Sequence, residues 1–281
     1  MASKIHKAYE NSKWFPLLLD PFVYNYTLNQ GLKSVNKRKN IAEKYFELAS
    51  KIFMQKGIKE NNEKQNYNPQ YHEKVVDISL PNLIDRTKNS INSNNEKVEL
   101  TYAGLFYRDI RNPEKMLDVL STLDGQFKLV LIGNGCEEIV QNKKHLFNKC
   151  EINILGRKQK DECNQYLHKS NILVNLSNSI VNQVPSKVFE YIGLGKPIVN
   201  FYFTEEDPSL NYFKRYDLCF NLNLNDYTDK DVEDLKIWCL KNKNKQLTFE
   251  DATKNLINER ADFICEKIYK ELSNGNQRIV E

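Results

Sequence analysis

Apolar and polar positions change rhythm about a third of the way along the chain. Before residue 85 the pattern is irregular. Trp14–Phe22 reads as a short buried strand closed by a turn. Residues 35–48 read as an amphipathic helix, with Ile41, Tyr45 and Leu48 on one stripe and Lys37-Arg38-Lys39 opposite. Residues 50–54 predict a strand, Gly57 a break, the polar residues 59–72 a helix with a loop, and 75–80 another strand stopped by Pro81-Asn82. Residues 85–96, which include Asn89-Ser90-Ile91-Asn92-Ser93-Asn94-Asn95, have the composition of a linker.

From residue 97 apolar runs recur at regular intervals. Strands are predicted at 98–103, 127–132, 152–155, 172–176, 198–203 and 218–221. Helices are predicted between them, at about 112–123, 136–147, 159–169, 186–194 and 208–214, followed by two more at 229–243 and 249–272. Strands alternating with helix-length segments specify an α/β fold with a doubly wound parallel sheet. The expected organisation is a partial N-terminal α/β domain over 1–84, a linker over 85–96, a Rossmann-like domain over 97–245 and a C-terminal helix over 246–281.

Composition changes this picture little. The chain has 281 residues, 40% hydrophobic and 28% charged, with a net charge of +4, which describes an ordinary globular protein. Basic and acidic residues are interspersed, so no stripe for nucleic acid is present. The six cysteines are scattered, with no CxxC pair and no histidine at ligand spacing. They read as reduced thiols of a cytosolic protein, and no metal site is expected. His6, His72, His145 and His168 are isolated. No apolar run approaches the length of a membrane span. The expected location is the cytoplasm, with peripheral attachment at the inner face of the membrane open to the Lys37-Arg38-Lys39 face.

In a doubly wound sheet, ligands bind beyond the carboxyl ends of the strands. The candidates at those loops are Gly104 with Arg108 and Arg111, Gly133-Asn134-Gly135, Gly156-Arg157-Lys158 and Ser177-Asn178-Ser179. The last is the stretch around Pro185-Ser186-Lys187-Val188-Phe189-Glu190. Pro185 suits a first helical turn. The amides behind it and Lys187 offer positive charge to an anion. Glu190 falls four residues after Ser186, on the same face. Taken singly, each of these also fits an ordinary βα turn or a solvated surface group.

Together, Tyr102-Ala103-Gly104-Leu105, Leu131-Ile132-Gly133-Asn134-Gly135, Ile154-Leu155-Gly156-Arg157, Ser170-Asn171-Ile172-Leu173-Val174-Asn175 and Pro185–Tyr191 running on to Gly195-Lys196-Pro197 resemble the donor-binding domain of GT-B nucleotide-sugar glycosyltransferases, family 4 and its bacterial polysaccharide relatives. The resemblance implies transfer of a sugar from a nucleotide-diphosphate sugar to a glycan or lipid-linked acceptor in surface polysaccharide synthesis, with no cofactor beyond the donor and no metal. It gives Glu190 the donor's ribose, Ser186 and Lys187 the diphosphate, and Pro185 a place among the donor-binding residues. Gly156 and Arg157 go to the nucleobase, and Gly133 to the same donor-binding rim. Gly104 with Arg108 or Arg111 would stand near the departing phosphates.

Three departures accompany it. The first acid of the family's Glu-x7-Glu motif falls at Asn182, which leaves that position an amide. Leu105 and Ile110 stand where an Arg-x4-Lys pair belongs, so Arg108 and Arg111 are substitutes by proximity. About 85 residues precede the linker, against the ~150 expected of a full acceptor domain. A second polypeptide completing that domain, a truncated reading frame, or a catalytically silent nucleotide-binding subunit are the alternatives this raises.

Overall fold

The computed structural model describes residues 13–19, 23, 31–55, 69–89, 96–181 and 184–277. The chain divides into two compact units, one made of residues 1–81 with 261–281, the other of residues 82–260.

In the first unit, β1 (Leu17–Leu18), β2 (Ile52–Gln55) and β3 (Val75–Ile78) form a parallel sheet in that order. Side chains alternate across a strand, and β2 uses both faces. Ile52 and Met54 pack with Ala42 and Phe46 of α1 (Leu32–Leu48), whereas Phe53 packs with Ile264 of α9 (Ala261–Gln277). The buried stripe of α1 is Arg38, Ala42 and Phe46, not the Ile41–Tyr45–Leu48 stripe expected. Arg38 buries its stem and donates from Nε to Val23 O at 2.8 Å and from Nη1 to Ser34 Oγ at 2.9 Å. A long side chain that hides its methylenes and donates from its head this way is invisible to a hydropathy pattern. Most of the helix expected over 59–72 lies outside the described residues; its end, Pro69–Lys74, is a 3₁₀ segment.

The second unit carries six parallel strands: β4 (Val98–Ala103), β5 (Phe127–Ile132), β6 (Glu151–Gly156), β7 (Ile172–Leu176), β8 (Ile198–Tyr202) and β9 (Cys219–Asn223). Their order is β6-β5-β4-β7-β8-β9. The winding therefore reverses between β4 and β7, the topological switch point of a doubly wound sheet. The connections carry α2 (Glu114–Ser121), α3 (Glu137–Lys144), α4 (Lys160–Lys169), α5 (Lys187–Gly193) and α6 (Leu210–Phe213). Then come α7 (Asp229–Asn242) and α8 (Phe249–Thr253). Leu100, Met116, Leu117, Phe127, Ile172 and Leu235 are among the fully buried side chains of its core. Burial of this kind, roughly 1.5–3 kcal/mol per large apolar side chain, is the main stabilising term.

The single helix expected over 249–272 is instead α8, a 3₁₀ turn at Ile257–Glu259 and α9. Arg260 adopts extended geometry, φ −65° and ψ 142°, and pairs with Leu83 in a parallel bridge. An extended residue committed to a neighbouring segment cannot continue a helix. At the same point the chain leaves the second unit for the first.

Candidate functional site

The loops after β4 and β7 meet across the switch point. Ser179 donates from its amide to Ile110 O at 2.7 Å and from its hydroxyl to Asp109 O at 3.2 Å. Arg111 donates from Nε to Asn178 Oδ1 at 3.0 Å, and a longer contact of 3.4 Å joins Nη1 to Leu105 O. Tyr107 and Arg111 exchange backbone hydrogen bonds, closing the loop between them into a tight hairpin. Arg111 is thus held in the crevice. Arg108 points elsewhere: its side chain is 65% exposed and its Nη2 lies 3.3 Å from Glu138 of α3.

Below Arg111 the site has a polar floor. Tyr102 donates to Leu105 O at 3.1 Å, and burial pushes its phenol up to about 12, with the nearby Arg111 opposing. Asn178 and Ser177 are buried. Asn175, Asn200 and Asn221 stand in register across β7, β8 and β9. Asn175 Nδ2 donates to Asn200 Oδ1 at 2.8 Å, and Asn200 Nδ2 to Asn221 Oδ1 at 2.9 Å. Asp207, in the loop after β8, is also buried and accepts the Ser209 amide at 2.8 Å. Burial raises its carboxyl pKa, with Ser177, Ser209 and Arg111 pulling the other way. The sequence reading missed this asparagine row and Asp207. The only available signal was a polar residue interrupting each apolar run, because register alone brings the amides together.

The glycine loop after β5 is shaped by its neighbour. Gly104 donates to Ile132 O and Phe106 to Asn134 O, each at 2.9 Å, so the β4–β5 pairing continues past the strands. Gly133 has φ +141°, and a Cβ there would lie 1.7 Å from Gly104 O. The glycine is required by backbone against backbone, whatever else it serves. Beside it a cleft is lined by Phe106, Gly133, Asn134, Val140, Ile154 and Gly156. The β5–β6 register shifts between Leu131 and Ile132, which brings Ile132 opposite Gly156. Arg157, one residue on, is exposed.

α5 stands over the end of β4. Tyr191 of this helix accepts the Ala103 amide at 3.2 Å through its hydroxyl, which burial strongly disfavours ionising. Pro185 and Ser186 precede the helix, and Ser186 is exposed. Glu190 and Lys187 are paired at the tip, Nζ to Oε2 at 2.7 Å, with side chains 22% and 32% exposed. The carboxylate is therefore partly covered but still reaches solvent. Asn82 and Arg86, two residues the sequence reading did not single out, lie against it: Asn82 Nδ2 is 3.4 Å from Glu190 Oε1, and Arg86 Nη2 donates to Asn82 Oδ1 at 2.8 Å. Their part could not be read locally, since about a hundred residues separate them from Glu190. Asn182 lies outside the described residues.

Chemically, the Arg111 guanidinium stands at the β4/β7 crevice, the Lys187 ammonium meets the Glu190 carboxylate at the tip of α5, and a cleft lined largely by apolar residues opens beside Gly133. Cations and amides suit phosphate, a carboxylate suits vicinal hydroxyls, and an apolar slot suits a base. Among the described residues, no group of three or more His, Cys, Asp or Glu is placed to hold a metal ion, and no helix is long and apolar enough to cross a membrane.

No family model matches the sequence, and no curated protein matches it. Solved structures do match the fold. HepE (Alr3699) of Anabaena, crystallised with UDP and glucose, is 14% identical with a TM-score of 0.66, covering 97% of this chain and 73% of that one. A glycosyltransferase from Rickettsia africae is 13% identical with a TM-score of 0.60, covering 98% and 79%. The pneumococcal O-GlcNAc transferase GtfA, in complex with UDP and GlcNAc, is 12% identical with a TM-score of 0.60, covering 98% and 55%. The fold is that of GT-B glycosyltransferases.

Proposed function

We propose that the chain is a glycosyltransferase that takes a sugar from a nucleoside-diphosphate sugar and passes it to a glycan or lipid-linked acceptor in surface polysaccharide synthesis. The observation that carries this reading is the partly exposed Lys187–Glu190 pair at the tip of α5, beside the β4/β7 switch point where Arg111 is held by Asn178. Solved proteins of the same fold bind UDP or a UDP-sugar, which supports a nucleotide donor.

In this reading the diphosphate lies between Arg111 and the α5 tip. Lys187 faces the phosphate, and the Glu190 carboxylate accepts the ribose hydroxyls. The base enters the cleft beside Gly133 and Gly156, with Arg157 at its mouth. Departure of the nucleoside diphosphate leaves negative charge on the β-phosphate, and prepositioned cations are worth most where charge develops. The half-buried, tethered Arg111 suits that task better than the solvated Arg108.

Thermal unfolding with UDP or GDP tests the reading. At a hundredfold excess over the dissociation constant, a ligand that binds only the folded state stabilises it by about 2.7 kcal/mol, roughly a 5–10 °C rise for a unit of this size. Glu190→Ala is expected to abolish the rise. If neither these diphosphates nor their sugar conjugates move the transition, the reading is wrong.

A further inference from the structure

The segment from Asn82 to Arg86 is bonded to both ends of α5. At one end, Asn82 Nδ2 donates to Ser186 O at 3.2 Å and approaches Glu190 Oε1 at 3.4 Å. At the other, the Arg86 amide donates to Gly193 O at 2.9 Å. Between them the guanidinium folds back: Arg86 Nη1 donates to Asn82 O at 2.9 Å and to Ile84 O at 3.2 Å, and Nη2 to Asn82 Oδ1 at 2.8 Å. Helix and segment touch backbone to backbone, since a Cβ on Gly193 would lie 2.5 Å from Ile84 O.

This chain of contacts leaves the Asn82 amide one orientation. A guanidinium only donates, so Oδ1 must face Arg86 and Nδ2 must face Ser186 O and Glu190. A carboxylate has two acceptor sites on each oxygen. In Glu190, Lys187 takes one on Oε2 and Asn82 meets one on Oε1. Each oxygen keeps a further acceptor site. That arrangement matches a vicinal diol, one hydroxyl to each oxygen.

We propose that Asn82 and Arg86 are positioning residues for Glu190: Arg86 locks the Asn82 amide, and Asn82 locks the carboxylate in the plane that receives the two ribose hydroxyls of the donor. The assignment rests on the donor-site reading above. It adds that recognition of the ribose depends on a segment that begins the second unit, far from α5 in sequence.

Calorimetric titration of the full chain with UDP, GDP and their 2′,3′-dideoxy forms tests it. Asn82→Ala, the nearly isosteric Asn82→Asp and Arg86→Lys are compared with wild type, and thermal unfolding confirms that each folds. Wild type is expected to lose roughly 10-fold or more in affinity when the hydroxyls are removed, as for hydrogen bonds to a charged acceptor. Asn82→Ala should lose a similar factor on the ribose form and little more on the dideoxy form. Asn82→Asp, which sets a second carboxylate against Glu190, should lose at least as much and with the same selectivity. Arg86→Lys keeps the charge but not the fork, and should fall between.

Unchanged affinity in both Asn82 variants, or equal losses on ribose and dideoxy forms, overturns the assignment while leaving the donor site standing. A wild type that binds neither diphosphate overturns the donor site and this assignment with it. Should Asn82→Ala fail to fold, Asn82→Asp decides by the same comparison.

Discussion

Arg111 Nε lies 3.0 Å from Asn178 Oδ1, and that bond crosses the gap between β4 and β7 where the sheet reverses its winding. Arg108, three residues earlier, pairs outward with Glu138. Arg111→Ala is expected to lower the rate of nucleotide release from the sugar donor by roughly 10²–10³, the usual loss for one electrostatic donor in a closed site. Arg108→Ala should stay near the wild-type rate. Asn178→Ala frees the guanidinium without removing it, and should cost roughly 10-fold. Steady-state release of UDP or GDP measures all three; equal effects of the two arginine variants would contradict the geometry.

Lys187 and Glu190 form a partly exposed ion pair one helical turn apart, so the pair itself contributes little, about 0–1 kcal/mol. Lys187→Met should shift the unfolding temperature by no more than a few degrees while weakening binding of UDP or GDP. It should also flatten the dependence of that binding on salt, because the lost partner is a charge. A variant that binds as tightly as wild type at every ionic strength would remove Lys187 from the phosphate site.

Two glycines of the rim separate close approach from dihedral strain. At Gly133, a methyl would meet Gly104 O at 1.7 Å and φ is +141°. Gly133→Ala is expected to destabilise by on the order of 3 kcal/mol or more. At Gly156, φ is +66° but nothing lies within 4 Å of the added carbon. Gly156→Ala should cost only ~1 kcal/mol. Denaturant melts of both variants give the comparison.

Lys196 is buried at the opposite edge of the sheet and donates to Ser170 O at 2.6 Å. Burial lowers its pKa from 10.5 to about 8, with Glu99 opposing. The unfolded chain therefore holds this proton more tightly, and the lysine's contribution to stability rises with pH from about 8 towards 10.5. The Cys219 thiol and the buried Cys239 thiol, both raised above their usual 9.0 by desolvation, act in the opposite sense over the upper part of that range. The measurement is accordingly the difference between wild type and Lys196→Met in denaturant melts at pH 7.5, 8.5 and 9.5. Wild type should gain on the variant as pH rises; a constant difference would show that the amine is not desolvated.

Much of the second unit was legible in the chain. The runs at 98–103, 127–132 and 172–176 are strands with the expected bounds, because parallel strands buried on both faces must be continuously apolar. The Pro185–Gly195 stretch likewise announces a helix start and a turn from local stereochemistry. Stripes that depend on a partner were not legible. Arg38 in α1 is buried only because a carbonyl from another segment receives it. The helix expected through residue 260 breaks only because Leu83 claims that backbone.

Element type, the parallel sheet and the edge where chemistry gathers thus follow from the sequence, since each is a consequence of local dihedral preference and short-range hydropathy. Which arginine enters the crevice, which amides form the row under it and which segment grips Glu190 were decided by tertiary structure. Asn175 meets Asn200 through strand register, and Asn82 meets Glu190 across about a hundred residues of chain. Contacts of that kind are set by how segments dock, and no local property of either residue encodes its partner.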